Sequence, residues 1–171
     1  MGAKERFYVD TMALHPEVSG SCIPLVVKYP DRTTTKFLVD CGRFQDSEYE
    51  EYNHSFPFKP EEIAFCIITH NHDDHVGRLP MLIDKNPNCK IYTSKDTKTL
   101  LRISLMDSYK IAKEEAKRHR KALDYSEATI DKVLSMTQGY EAEDTIWVDE
   151  HIRITFFENG HLPGAVMVLV Q

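Results

Sequence analysis

The chain has 171 residues, 42% of them apolar and 28% charged, with a formal net charge of -6. That length suits one globular domain with one core, and the acidic balance excludes a protein that grips nucleic acid by its overall field. No apolar run approaches the roughly 18 residues of a membrane span, and the start MGAKERFYVD has no apolar signal stretch, which predicts a cytoplasmic protein. Gly2 invites a myristoylation reading, but Arg6 stands where that motif needs Ser or Thr. Cys22, Cys41, Cys66 and Cys89 are too widely spread for a metal knuckle or a redox pair, so reduced, buried thiols are expected.

In chain order, CIPLVVKY, a turn at Pro30, Asp31 and Arg32, and TTKFLVDCG predict a hairpin entering a sheet. Ile63 to Thr69 is continuously apolar, as a strand buried on both faces would be, and it ends directly at His70. DHVGRLPMLID, Asp74 to Asp84, suits a short helix with Pro80 as its weak point, stopped by Asn86 and Pro87, and KIYT returns as a strand. A long helix is expected from Ser94 as its cap, with Leu100, Leu101, Ile103, Leu105 and Ile111 as its apolar stripe. The mixed charges of KIAKEEAKRHRK then read as a solvated helix face. A second helix is expected from Ser126, again as cap, to Met136, closed by Gly139. TIWVDE, HIRITFFENG and AVMVLVQ read as strands. This order fits a mixed α/β layered domain, and a chain stopping within an apolar strand suggests truncation.

The segment His70-Asn-His72-Asp-Asp74-His75 places three imidazoles and two carboxylates in six positions straight after a buried strand. In extended backbone residues two apart face the same side, so His70 and His72 converge on one point; Asp74 and His75, at a helix start, turn towards a neighbouring one. One segment can thus feed two adjacent metals, which dinuclear hydrolytic sites keep roughly 3.5 to 4 Å apart. From composition, such a cluster arises by chance on the order of once in a thousand chains of this size. Imidazole and carboxylate suit zinc and also accept manganese or iron. His161, between Gly160 and Gly164, is the expected third imidazole of an open, catalytic site. Asp40, ending FLVD, is the expected acceptor that orients a ligand.

The strand-ending Asp40, the HxHxDH segment and the later His161 resemble, in that order, the metallo-β-lactamase superfamily. VSGSC (Val18 to Cys22), FLVDCGRFQD (Phe37 to Asp46), VGRLP and GHLPGA (Gly160 to Ala165) are similar to its β-CASP branch of RNA- and DNA-processing nucleases. That branch includes the 3′-end cleavage subunit of pre-mRNA processing and bacterial and archaeal ribonucleases. The helical segment between the cluster and His161 is similar as well, so the resemblance spans nearly the whole chain. Pro163 departs from the usual pattern.

The resemblance implies an αββα sandwich of which residues 1–171 are the first, amino-terminal part. It further implies two Zn2+ ions, or Mn2+ or Fe, with His70, His72 and His161 on the first and Asp74 and His75 on the second. A hydroxide held there would attack a phosphodiester, with Asp74 able to take a proton and Asp40 orienting. The family's bridging Asp, its last His and the β-CASP insert lie downstream, so the fragment is expected to be poorly active by itself. Implied partners are RNA, or single-stranded DNA, and the remaining half of the same protein; a homo-oligomer stays open. Two other readings compete: a hydrolase of thioesters or lactams on the same fold, and a non-catalytic metal-binding interaction module.

Overall fold

A computed structural model describes residues 8–11 and 19–171. Val18, in the first branch phrase, and Gly2 and Arg6 lie outside the described residues.

The chain builds a six-stranded mixed sheet in the order β1-β2-β3-β4-β5-β6. Its strands are Tyr8–Thr11, Ile23–Lys28, Thr34–Val39, Ile63–Ile67, Lys90–Ser94 and Thr137–Tyr140. The first three pair antiparallel and the rest run parallel from β3 onward. The expected hairpin is β2–β3, which a short turn joins because Arg32 accepts a left-handed φ of 72° and donates to the Tyr29 carbonyl. Parallel pairing needs long crossovers: 3-10 segments lie between β3 and β4, and α-helices between β4 and β5 and between β5 and β6. The α-helices are α1 (Asp73–Val76), α2 (Leu79–Lys85), α3 (Lys95–His119) and α4 (Glu127–Met136). A second, antiparallel sheet follows, β7 (Thr145–Trp147), β8 (Arg153–Glu158) and β9 (Val166–Val170), in that order.

Two cores sandwich the large sheet. On one face Leu38, Cys66 and Ile68 meet Leu79, Leu82, Leu101, Leu105, Ile130 and Val133 of the helices. On the other Phe37, Phe65, Ile67 and Tyr92 meet Ile154, Phe156 and Val166 of the second sheet. Residues of β4 thus serve both cores, which is why its sequence is apolar without alternation. The layers run helices, sheet, sheet. The outer face of the small sheet leaves Trp147, Met167 and Leu169 exposed.

Three expectations are corrected. The helix foreseen over Asp74 to Asp84 starts at Asp73 and is two pieces, broken at Gly77 and Arg78 ahead of Pro80. Only Leu101 and Leu105 of the expected α3 stripe are fully buried; Ile103 is 68% and Ile111 50% exposed, since neither lies a whole turn from that pair. Gly139 does not close α4 but sits inside β6; Ser126 is the N-cap of α4 as expected, its hydroxyl meeting that of Thr129 and not a backbone N–H. β1 and the 3-10 segment Ser47–His54 were not anticipated. Ser94 does cap α3, accepting from the Thr97 N–H, and all four cysteines are free and buried. No helix among the described residues is long and apolar enough to cross a membrane.

Candidate metal centre

The large sheet ends, at the carboxyl tips of β3 and β4, in two loops that carry the chemistry. The loop after β3 turns at Asp40, whose φ of 62° is left-handed and rare for a residue with a Cβ. The loop after β4 carries His70 to His75. Backbone hydrogen bonds lock the two together, Cys41 N–H donating to the His75 carbonyl at 2.8 Å and Arg43 N–H to the Asp73 carbonyl at 3.0 Å, while Ser21 N–H, ahead of β2, donates to the Asp74 carbonyl at 2.8 Å. A Cβ on Gly42 would lie 1.6 Å from the Asp74 carbonyl oxygen, so only glycine permits this approach.

Asp40 is 3% exposed and its carboxylate organises the site. One oxygen accepts from the Thr69 N–H at 2.8 Å; the other lies 2.7 Å from His75 Nδ1 and 2.9 Å from the Thr69 hydroxyl. With its proton given to Asp40, the Thr69 hydroxyl accepts from His70 Nδ1 at 3.0 Å. One carboxylate therefore sets two tautomers, His75 directly and His70 through Thr69. In both rings this leaves Nε2 as the lone-pair nitrogen. Burial first, then the positive charge of neighbouring His75, pushes His70 down to about 4, so it is neutral and ready to ligate near pH 7. In His75 burial acts downward, but the hydrogen bond and charge of Asp40, with Asp74, outweigh it and raise the pKa.

The buried Nε2 of His70 has no hydrogen-bond partner. Such an atom is costly to bury unless something outside the protein meets it. It points where His72 and His161 also converge: ligand atoms of the three rings lie within 4.8 Å of one another. Ring centroids are 4.8 Å apart for His70 and His72, 5.0 Å for His70 and His161, and 5.2 Å for His72 and His161, all near perpendicular. This geometry fits a divalent ion with an open fourth position. His161 reaches it from a loop turned by Gly160 and Gly164, at φ 73° and 82°, and fixed by Val166 N–H donating to the Thr69 carbonyl at 3.0 Å.

Asp74 and His75 face a neighbouring point, His75 Nε2 lying 3.5 Å from Asp74 Oδ2, with the His70 and His75 rings 3.9 Å apart. Every site residue expected from the sequence is thus brought together. Asp73, the extra carboxylate, is not among them: it turns away and accepts from Ser108 of α3 at 2.5 Å. The structure adds Thr69, which sequence reasoning passed over; a hydroxyl directly before the first His is the signal that could have found it.

The profile of the metallo-beta-lactamase superfamily matches residues 25–165. The chain belongs to that superfamily. Among curated relatives, Ribonuclease TTHA0252 of Thermus thermophilus is 34% identical over 146 residues, covering 80% of this chain and 30% of that protein. The Arabidopsis thaliana cleavage and polyadenylation specificity factor subunit 3-II is 30% identical over 91% of this chain and 25% of that protein. The transcription termination factor FttA of Methanocaldococcus jannaschii is 29% identical over 88% of this chain and 23% of its own length. The chain therefore spans between about a quarter and a third of these relatives. A solved metallo-beta-lactamase from Cronobacter sakazakii shares the fold at a TM-score of 0.54 with 17% identity, covering 94% of this chain and 58% of the other. For this superfamily member, the layered sandwich foreseen from the resemblance holds as far as the described residues reach.

Proposed function

We propose that this metallo-beta-lactamase superfamily chain carries the metal-binding face of a phosphodiester hydrolase acting on RNA, with zinc as its ion. The observation that carries the reading is the orphaned Nε2 of His70 facing the convergent rings of His72 and His161. When bound, an ion of this type lowers the pKa of water and neutralises charge on phosphate oxygens. The chain's own residues do the rest. Asp40 and Thr69 hold His70 and His75 in the tautomer that presents Nε2. Asp74, whose Oδ2 lies 3.5 Å from His75 Nε2, would accept the proton. RNA rather than a lactam is supported by the relatives' names, a ribonuclease and a cleavage and polyadenylation factor.

Asp74 and His75 alone make an incomplete shell for a second ion, so two-ion chemistry draws ligands from beyond these residues, consistent with residues 1–171 acting as the amino-terminal portion of a larger catalytic unit. The test is metal content by mass spectrometry together with cleavage of an end-labelled RNA. One ion held tightly by the chain and lost in His72→Ala, with RNA cleavage that needs both His72 and the ligands supplied from beyond these residues, supports the reading. Undiminished metal in His72→Ala sinks the ligand assignment, and turnover of a thioester or lactam with RNA left intact replaces the substrate.

A further inference from the structure

The two loops that bring the imidazoles together are far apart in sequence, and α3 touches both. At its start the Ser94 hydroxyl donates to the Gly164 carbonyl at 2.6 Å and the Thr97 hydroxyl to the same oxygen at 2.9 Å. The fit is close enough that a Cβ on Gly164 would meet the Thr97 nitrogen at 2.7 Å. Further along, Asn71 Nδ2 donates to the Ser104 hydroxyl at 2.9 Å, and the Ser108 hydroxyl donates to Asp73 at 2.5 Å. Asn71 and Asp73 flank His72, whose backbone is still extended (φ -68°, ψ 148°) before α1 opens at Asp73, so His70 and His72 face the imidazole cluster while Asn71 and Asp73 face α3. Ser104 and Ser108 are one helical turn apart, which matches the two-residue step of the extended loop, each being about 6 Å. Thr97, Leu101, Ser104, Leu105 and Ser108 share one face of α3, with Leu101 and Leu105 fully buried.

We propose that α3 is a rigid spacer for the metal centre, and that Thr97, Ser104 and Ser108 are positioning residues which fix His161 relative to His70 and His72. The helix holds the His161 loop at one end and the His70 to His75 loop at the other, about 16 Å along its axis. A three-imidazole site tolerates little error in that spacing, because each ligand must stay within a few tenths of an ångström of its bond length. The interactions are buried or half-buried hydroxyl bonds, which transmit position better than exposed ion pairs do. Asp73 is then a handle on the loop rather than a ligand, and Asn71 likewise. The proposal rests on the reading of His70, His72 and His161 as a metal site, and its test separates the two.

The experiment compares wild type with Thr97→Val, Thr97→Ser and the double variant Ser104→Ala/Ser108→Ala. Zinc affinity is measured by chelator competition, and ligand geometry by the visible absorption of the cobalt-substituted chain. Amide exchange over residues 70–75 and 160–165 is followed in the metal-free chain. Thr97→Val and the double variant are expected to weaken zinc about tenfold or more, alter the cobalt spectrum and speed exchange in the loop each one releases. Thr97→Ser, which keeps the hydroxyl, restores wild-type behaviour. Unchanged exchange in both metal-free variants overturns the spacer role whatever the metal does. Wild type that binds no metal defeats the metal reading instead, leaving the exchange result to decide this one.

Discussion

His75 Nδ1 lies 2.7 Å from Asp40 Oδ2, although the two residues are on different loops and Asp40 holds a φ of 62° to make the contact. Left-handed backbone costs an L-residue roughly 1–2 kcal/mol, and here it turns the carboxylate back over the end of its own sheet, towards Thr69 and His75. Asp40→Asn keeps a residue that tolerates this backbone while removing the charge. Zinc affinity is expected to fall about 10- to 100-fold, read by competition with a chelator of known affinity. An unchanged affinity would mean that Asp40 does not orient the ligands.

His72→Ala removes one of three convergent imidazoles but little buried surface, since His72 is exposed. Metal content should drop to background while the thermal midpoint of the metal-free chain moves little. Loss of folding instead of metal would contradict the assignment.

The stability of the metal-free chain should depend on pH through His70. Its pKa is about 4 in the folded chain against 6.5 for the free group, so the unfolded chain binds more protons between those values. The His70 contribution is complete above pH 6.5 and is lost as pH falls towards 4. Raised His75 works the other way, adding stability below 6.5 that is lost as pH climbs through its folded value. Urea midpoints measured for wild type and His70→Gln across that range isolate the first effect; parallel curves would rule it out.

Gly42→Ala drives a Cβ to within 1.6 Å of the Asp74 carbonyl, a backbone atom fixed by Ser21. A destabilisation of roughly 3 kcal/mol or more is expected from chemical denaturation, together with loss of metal as the two loops separate. At Gly160, where a Cβ would meet nothing within 4 Å, alanine should cost only the strain of its positive φ.

How much of this was legible beforehand follows from the range of each interaction. The apolar run of β4, the β2–β3 hairpin, the Ser94 cap and the convergence of His70 with His72 are all local, depending on neighbours within a few positions. The split of α1 from α2 and the fate of Gly139 were not legible. Each depends on what packs against it: Gly77 lies against Arg43, and Gly139 against Lys95 and Lys98 of α3.

The sequence by itself singled out the candidate ligands, because residue type and two-residue spacing indicate that His70 and His72 can share a point. It also determined the alternation of buried and exposed strands from which the layers follow. Only the tertiary structure decided which nitrogen each imidazole presents, since that rests on Asp40 and Thr69 meeting His70 and His75 across two strands. It decided, too, that Asp73 faces α3 instead of the imidazole cluster and that His161 arrives beside His72. Those outcomes need contacts between residues 29 (Asp40 and Thr69) to 89 (His72 and His161) positions apart, which side-chain pattern along a chain does not encode.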